Sequence, residues 1–381
     1  MIAMKTAYCK PTRHTIKHIQ NGYRDLRIKA LTFALLAISA PLFSACMPVA
    51  QTSGLSTNYS SPTSTVEVPP HEFGRTTISV DNAEDLAEVL RISDKSGVVA
   101  AAFSPNGNLI ASTHQDGKLK LWDIHTGNLL REFEGHTDTA WQVEFSPDGT
   151  MLATTGWDQV VRIWDVESGT PIQVLGDFED GGGPVHELAF SSDGASLTAS
   201  NWGSQIYQWD TSSWQVINEL QGYLFAFNAD NSVMVLTQRT GPTLIKRVSG
   251  SVEVLDEDFA EEEYKEIIGI EFIGRTNDIL LAYDSSNIEI WNIDEKTMLA
   301  AIESYGYGIR DIDSNPEGDL IVVAYDDDKI RVFDVLGHLI TILGANITRI
   351  SSITFSPTGD YFAVSSLDGG IIILSINGAP E

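Results

Sequence analysis

The sequence predicts an all-β fold: a seven-bladed β-propeller of four-stranded antiparallel blades, with the ring closed by an N-terminal strand. An aromatic residue followed by a carboxylate or an amide recurs along the chain, at Trp122-Asp123, Trp164-Asp165, Trp209-Asp210, Trp291-Asn292 and Phe333-Asp334. The first three pairs lie 42 and 45 residues apart, and the last two lie 42 apart. A period of this length is typical of one propeller blade. Hydrophobic residues make up 43% of the chain, which is enough for a large core.

The first repeat shows the elements of a blade in order. Its predicted strands are residues 98–103, 109–112, 118–122 and 128–133. Turns at residues 104–107 and 115–117 separate the first three strands, and each turn contains a glycine, which accepts a positive φ without steric cost. The third strand alternates polar and apolar residues, as expected where one face is buried.

Six further repeats follow the same order. Their first turns are marked by Phe145–Gly149, Phe190–Gly194, Phe227–Asp230, Ile270–Phe272, Pro316–Gly318 and Phe355–Gly359, and their third strands are predicted at 161–164, 206–209, 244–247, 288–291, 330–333 and 371–374. The fourth repeat is degenerate, because no Trp-Asp pair ends its third strand. The last repeat ends near Gly378 without an outer strand. We expect Leu86–Ile92, which precedes the first repeat, to pair there and so remove the open sheet edges.

The N-terminal region differs from the repeats. Residues 1–45 carry seven basic side chains against one acid and contain an apolar run at 30–43, which is too short for a membrane span of about 20 residues. This pattern predicts a secretory signal peptide. Residues 46–75 are rich in Ser, Thr and Pro and predict a flexible tether, and residues 76–381 form the predicted propeller.

Leu42-Phe-Ser-Ala-Cys46 resembles the lipobox of bacterial lipoproteins, with Phe43 where that family prefers Leu, Val or Ile. The resemblance implies lipidation at Cys46 and an extracytoplasmic, lipid-anchored location, at the cell surface or in the periplasm. An ordinary signal peptide, or an uncleaved anchor in which Cys46 is incidental, is the alternative. The only other cysteine, Cys9, lies within the predicted signal peptide, so a disulfide framework is excluded.

The repeats resemble the WD-repeat family over about residues 76–381. In the second blade the family's structural tetrad maps onto His136, Thr154, Asp158 and Trp164. The resemblance implies that the Asp binds the His, that the His meets the hydroxyl, and that the hydroxyl reaches the indole N–H. Other blades keep only parts of this set, at Ser112, Asp116 and Trp122 (with Asp94 in the place of the His), Ser285, Asp327 and Asp368. We therefore expect most tetrads to be incomplete and those blades to rest on apolar packing.

The residues give no sign of enzymatic chemistry. His136 beside Asp158 is explained by the tetrad, and no Gly-x-Ser-x-Gly motif or Gly-rich phosphate loop occurs. The histidines are scattered without zinc-motif spacing. Asp311-Ile-Asp313-Ser-Asn315 resembles the start of a calcium loop, but Pro316 stands where that loop needs glycine. The sequence thus predicts a protein without catalytic residues, metal or cofactor.

Charge narrows the class of partner. The chain has 52 acidic and 24 basic residues, a net charge of −28, and the region after residue 45 is still more acidic. Such a surface repels phosphate backbones, so nucleic acid is not expected as a partner. An acidic stretch at residues 256–263 predicts a solvated loop, with a docking site for a basic partner or a cation as the alternative.

Three further tryptophans are the candidate binding residues. In the WD-repeat family the positions of Trp141, Trp157 and Trp202 face the top opening, where partners usually dock, and exposed tryptophan often marks interaction sites. Packing between neighbouring blades is the alternative. The resulting hypothesis is a monomeric, non-catalytic scaffold of the cell envelope that presents its top face to a protein or peptide. A glycan-binding or adhesion module, and a propeller enzyme with a site in its central channel, are the alternatives.

Overall fold

The computed structural model describes residues 76–176, 182–238, 242–247, 250–255, 266–344 and 347–376. These residues form seven four-stranded antiparallel sheets, so the predicted all-β propeller of seven blades is confirmed. Helical structure within these ranges is confined to a 3₁₀ turn at Ala83–Asp85, and no helix there has the length and apolarity to cross a membrane.

The strands follow the repeats in chain order. The N-terminal strand is β1 (Leu86–Ser93). Blade one contains β2 (Val98–Phe103), β3 (Leu109–His114), β4 (Leu119–Asp123) and β5 (Leu129–Phe133); blade two contains β6 (Ala140–Phe145), β7 (Met151–Gly156), β8 (Val161–Asp165) and β9 (Pro171–Leu175). Blade three contains β10 (Val185–Phe190), β11 (Ser196–Asn201), β12 (Gln205–Asp210) and β13 (Val216–Gln221).

The remaining blades keep this order. Blade four contains β14 (Phe225–Phe227), β15 (Val233–Leu236), β16 (Leu244–Arg247) and β17 (Val252–Val254); blade five contains β18 (Ile267–Phe272), β19 (Asp278–Tyr283), β20 (Ile288–Asn292) and β21 (Thr297–Ile302). Blade six contains β22 (Ile309–Ser314), β23 (Leu320–Tyr325), β24 (Ile330–Asp334) and β25 (Leu339–Leu343). Blade seven contains β26 (Ile350–Phe355), β27 (Phe362–Ser366), β28 (Gly370–Ile376) and β1. The degenerate fourth repeat is thus a complete blade, although its strands are short.

Burial along the strands reflects their place in a blade. Every residue of β23 is buried, because both faces of a second strand pack against neighbouring blades. Its sequence is apolar and half β-branched, which suits that position. The fourth strands lie at the rim, and β5 leaves Leu129 and Leu130 exposed. The core therefore lies between the blades as a series of apolar clusters.

Ring closure follows the prediction. Strand β1 pairs antiparallel with β28, from Leu86 opposite Ile376 to Ser93 opposite Gly370. The last blade thereby takes its outer strand from the N-terminal end of the domain, and the ends of the ring are joined by backbone hydrogen bonds instead of a disulfide.

The first strands of the blades form the inner wall. Each contacts the first strand of the next blade, in the order β2, β6, β10, β14, β18, β22 and β26, and β26 returns to β2. These strands therefore surround the propeller axis and line its channel. We call the face that carries the turns between second and third strands, together with the connections into each first strand, the top face.

Candidate functional site

The second blade contains a connected tetrad. Nδ1 of His136 lies 2.8 Å from Oδ1 of Asp158, and Nε2 lies 2.7 Å from the Thr154 hydroxyl. That hydroxyl also accepts the indole N–H of Trp164 at 2.9 Å. The network assigns the imidazole proton to Nδ1, because the ionised carboxylate of Asp158 can only accept, and the Thr154 hydroxyl then donates to Nε2.

The tetrad contains one buried charged side chain, Asp158. Burial pushes the pKa of Asp158 upward, but the hydrogen bond and charge of His136, with further bonds from Thr137 and Arg162, outweigh burial and hold that pKa at about 2. Asp158 is therefore ionised and fully engaged. The preceding Gly156 is required by packing, because a Cβ there would lie 2.5 Å from Nδ1 of His136. These contacts give His136 a structural role.

The first blade forms the same contact between an imidazole, a hydroxyl and an indole, but its imidazole comes from another backbone position. The gap expected where Asp94 stands in place of the histidine is filled by His114, the last residue of β3. Its Nε2 lies 2.8 Å from the Ser112 hydroxyl, which accepts the indole N–H of Trp122 at 2.8 Å. His114 pairs with Val98 as Gly156 pairs with Ala140, so the imidazole comes from the position that is glycine in blade two. Blade one thus has an imidazole in its tetrad, but Nδ1 of that imidazole lies 3.4 Å from the carbonyl oxygen of Ser96 in place of a carboxylate, so the tetrad lacks the Asp–His hydrogen bond of blade two.

The two aspartates of blade one, Asp94 and Asp116, make contacts outside the tetrad. Asp94 forms an ion pair with Lys120 at 2.6 Å, and its other oxygen lies 3.7 Å from Nδ1 of His114. Asp116 is exposed and accepts the backbone N–H of Lys118 at 3.3 Å.

Trp141, Trp157 and Trp202 come together at the top face, and we call them the tryptophan cluster. Their ring centroids lie 6.1 Å apart for Trp141 and Trp157, and 5.5 Å apart for Trp157 and Trp202. Trp141 is the second residue of β6, and the other two stand in the turns that follow β7 and β11. All three are half-buried. The rings thus pack on one another across blades two and three and still present surface to solvent.

Blade six carries a second aromatic group, which we call the tyrosine cluster: Tyr305, Tyr307 and Tyr325. The guanidinium carbon of Arg331 lies 4.8, 5.5 and 4.6 Å from their ring centroids, respectively. Arg331 is only 4% exposed and binds Asp327 through both terminal nitrogens, at 3.1 and 2.9 Å. Sequence reasoning identified Asp327 as a turn residue and missed the guanidinium. An arginine four residues after the aspartate was the available signal.

Five acidic residues on the first strands form a further group, which we call the inner carboxylates: Glu144, Glu187, Glu271, Asp311 and Asp313. Four of them accept backbone N–H groups of the next blade. Glu144 binds Phe190 N at 3.1 Å, Glu271 binds Ser314 N at 3.1 Å, Asp311 binds Ile353 N at 2.8 Å and Asp313 binds Phe355 N at 2.6 Å. The inner edge of a first strand has no strand partner, so its backbone N–H groups need other acceptors. These carboxylates accept hydrogen bonds from some of them.

The inner carboxylates have raised pKa values because they are buried near one another. Burial, with a smaller effect of Glu187, raises the pKa of Glu144 to about 8. Burial and then Asp311 raise the pKa of Glu187 to about 8. Burial raises the pKa of Asp311 to about 7 and that of Asp313 to about 6, and burial beside Asp313 raises the pKa of Glu271 well above its usual range. Glu187 and Asp311 belong to blades three and six, so their repulsion acts across the channel.

Sequence reasoning found no convergent groups on the innermost strands and therefore missed these five carboxylates. Asp311 and Asp313 were considered only as part of a calcium loop, whereas in the structure they lie on β22 and bind β26. Within the described ranges, no group of three or more His, Cys, Asp or Glu side chains is arranged to hold a metal ion. The inner carboxylates thus act as ties between blades in this structure.

Two predicted sites lie outside the described residues: the lipidation site Cys46 and the acidic stretch 256–263. For the propeller itself, comparison with protein-family models gives a match. Residues 97–375 match the model described as the IFT122 first beta-propeller. The matched region runs from the residue before β2 to the penultimate residue of β28, and so includes both aromatic clusters and the inner carboxylates.

Proposed function

Because this chain belongs to the IFT122 first beta-propeller family, we propose that it is a non-catalytic interaction scaffold whose top face binds a protein or peptide of the cell envelope. A propeller is a rigid frame on which turns and loops present a surface, and function depends on that surface more than on the fold. The observation that carries the proposal is the tryptophan cluster, where three half-buried indoles meet on one face.

The energetics of tryptophan favour a binding role for this cluster. Packing among the rings already holds them in one arrangement. These side chains would therefore lose little conformational freedom when a partner docks. Tryptophan is also enriched among the few residues that dominate binding energy at interfaces. Trp157 contacts both of the other rings, so its removal should disturb the surface most.

The test is affinity capture from an envelope extract with the tagged full-length chain and its Trp157→Ala/Trp202→Ala variant. The matched control is Leu130→Ala/Ile217→Ala, which removes two apolar side chains that are 52% and 57% exposed on the outer strands. Thermal unfolding establishes that each variant is folded. We expect a protein captured by the parent and the control and lost by the tryptophan variant. Equal capture by all three, or retention of cell-wall glycan in place of protein, would overturn the proposal.

We also propose that a lipid on Cys46 holds the propeller at the membrane, with residues 46–75 as tether. The lipobox resemblance and the apolar run before it support this location. Metabolic labelling with a fatty acid should mark the parent protein and leave Cys46→Ala unlabelled, and the parent alone should sediment with membranes. Label that persists in the variant would contradict the anchor and leave the top-face proposal untouched.

A further inference from the structure

We propose that residues 77–82, which precede β1, form a clasp: they hold Ile78 between blades six and seven, and the clasp and β1 open together as one unit. The clasp lies on the bottom face, which we define as the face opposite the tryptophan cluster. It acts on the closure of the ring and is independent of the partner proposed above.

The main chain of Ile78 is hydrogen-bonded to two blades. Its N–H donates to the carbonyl oxygen of Gly359 in blade seven at 2.8 Å, and its carbonyl oxygen accepts the side-chain amide of Asn315 in blade six at 2.9 Å. The N–H of Val80 donates to the carboxylate of Asp319, also in blade six, at 3.3 Å. All three partners belong to turns between first and second strands. These turns lie at the end of the blades away from the tryptophan cluster, which places the clasp on the bottom face.

The side chain of Ile78 fills the core between the same two blades. It is fully buried and belongs to one apolar cluster with Leu320 of β23 and Phe362 of β27. Ala83, which follows the clasp, and Leu86, the first residue of β1, belong to that cluster as well. Removal of this apolar surface from water favours the closed clasp. Because the clasp and the start of β1 share one core, opening of one exposes part of the other.

Asn82 folds the clasp into a defined turn. Its Oδ1 accepts the N–H of Ser79 at 2.8 Å, and its Nδ2 donates to the carbonyl oxygen of Thr77 at 2.9 Å. Its own N–H donates to the carbonyl oxygen of Ser79 at 3.2 Å. The 3₁₀ turn follows directly and leads into β1. The clasp is thus a folded element that is continuous with the closing strand.

Asn315 adapts the turn of blade six to the clasp. In four other blades the corresponding turn begins with a serine, whose hydroxyl accepts the N–H five residues later: Ser104, Ser146, Ser191 and Ser356. In blade six, Oδ1 of Asn315 accepts that bond from Leu320 at 2.9 Å, and Nδ2 donates to Ile78 and to Asp319. Blade four also has an asparagine there, Asn228, but its Nδ2 contacts side chains of blades four and five. Asn315 therefore holds its own turn with one amide atom and the clasp with the other.

The clasp stands at the end of β1 from which that strand would fray. Leu86 at the start of β1 lies opposite Ile376 at the end of β28, and terminal rungs of a strand open most readily. The other end of β1 is fixed by Asp94, whose N–H donates to Gly369 of blade seven at 2.6 Å and whose carboxylate pairs with Lys120 of blade one at 2.6 Å. The clasp supplies the corresponding hold before Leu86, so fraying from that end requires the clasp to open.

Hydrogen exchange of the backbone amides of β1 tests the clasp in the folded full-length chain. Mass spectrometry follows a peptide that covers β1 in the parent, in Ile78→Ala and in Ile245→Ala, the matched control, which removes an equally buried isoleucine from blade four. We expect β1 to exchange at least about tenfold faster in Ile78→Ala and at the parental rate in Ile245→Ala, because opening of the clasp and β1 leaves blade four folded.

Two results would overturn the proposal. If β1 exchanges at the parental rate in Ile78→Ala, β1 opens without the clasp. If both variants accelerate β1 equally, β1 opens only when the whole propeller unfolds.

A milder pair of variants tests the clasp without a cavity in the core. Asn315→Ser keeps the turn, since serine holds it in four other blades, and removes the bond to Ile78. Loss of this one hydrogen bond should accelerate exchange of β1 about fivefold. Asn228→Ser makes the same change in blade four, away from the clasp, and should leave β1 unchanged. Equal exchange of β1 in these two variants would contradict a clasp held by Asn315.

Discussion

The tryptophan cluster and the tyrosine cluster lie on the same face of the propeller but contain different kinds of side-chain contact. In blade six, Arg331 lies against three tyrosines and is neutralised by Asp327, so rings, cation and carboxylate all come from one chain. In blades two and three, the three indoles contact one another at ring-centroid distances of 6.1 and 5.5 Å. One group covers a neutralised cation with its rings, and the other is built from contacts between indole rings.

The difference shows how one face can hold both a structural and a binding cluster. Asp327 keeps the buried charge of Arg331 paired, so loss of either partner should destabilise blade six. The tryptophan cluster keeps three large rings half-buried at the top face, where a partner can cover them. The predictions below test each side of this contrast.

The largest effect is expected from unpairing Arg331. Asp327→Asn leaves a guanidinium in a residue only 4% exposed without its carboxylate, and should lower the free energy of unfolding by about 3–5 kcal/mol. The control is Asp368→Asn at the matching turn of blade seven, where the pair with Arg349 is 46% exposed on both sides and is worth at most about 1 kcal/mol. Urea denaturation compares the two variants. Equal losses would mean that the tyrosine cluster is not held by its charge pair.

The inner carboxylates should make stability fall as pH rises. Their pKa values are raised in the folded state, to about 8 for Glu144 and Glu187, so between the unfolded values near 4 and these folded values the native state binds more protons. The stability they contribute is fully present below about pH 4 and is lost as pH rises through about 8. The combined change should be on the order of a few kcal/mol.

Asp327 and Asp158 act in the opposite direction. In Asp327, burial raises the pKa but the bonds and charge of Arg331 outweigh it, so the pKa is lowered, and in Asp158 the pKa is about 2. Their contribution is present above the unfolded value near 4 and is lost as pH falls. Unfolding by urea at a series of pH values should therefore show a maximum at mildly acidic pH, with a shallower alkaline decline in Glu187→Gln. A stability that rises steadily to pH 8 would be inconsistent with raised pKa values in the channel.

Removing one ring from each cluster should separate stability from binding. Tyr305→Ala removes a ring 4.8 Å from Arg331 and 6.1 Å from Phe333, and should cost about 1–2 kcal/mol of stability without changing capture of the partner. Trp157→Ala should abolish capture. Thermal unfolding and capture assays on both variants check this, and a loss of capture in Tyr305→Ala would extend the binding surface to blade six.

The smallest effect is expected at the rim. Asp138 is exposed near the tryptophan cluster, and charges there mainly steer association. Asp138→Asn should slow association of the captured partner about twofold and leave its dissociation rate unchanged. Stopped-flow tryptophan fluorescence measures both rates. A change confined to dissociation would place Asp138 in direct contact with the ligand.

Much of the fold could be predicted from the sequence because each blade is formed by one contiguous stretch of the chain. The period of about 42 residues gave seven blades, and the polar-apolar alternation located their third strands. The pairing of Leu86–Ile92 with the last blade was also predictable, since a ring with one missing outer strand and one spare N-terminal strand has a single obvious closure.

The missed features depend on where side chains meet in space. His114 was overlooked because the tetrad was read from sequence offsets, whereas an imidazole from the end of β3 reaches the Ser112 hydroxyl as well as one from the loop does in blade two. The inner carboxylates lie on separate strands that meet only when the ring closes. By contrast, Trp157 and Trp202 were found because they share a recognisable turn position in adjacent repeats, and Trp141 because it lies near the start of a first strand. Lipidation at Cys46 remains a prediction.

The central claim is that the partner docks on the tryptophan cluster and not on the tyrosine cluster. The most direct measurement places a photo-crosslinking residue, p-benzoylphenylalanine, at position 157 or at position 305 of the full-length chain in living cells. We expect light-dependent adducts with a partner from position 157 and none from position 305. Adducts only from position 305, or none from position 157 in a folded protein, would contradict the account.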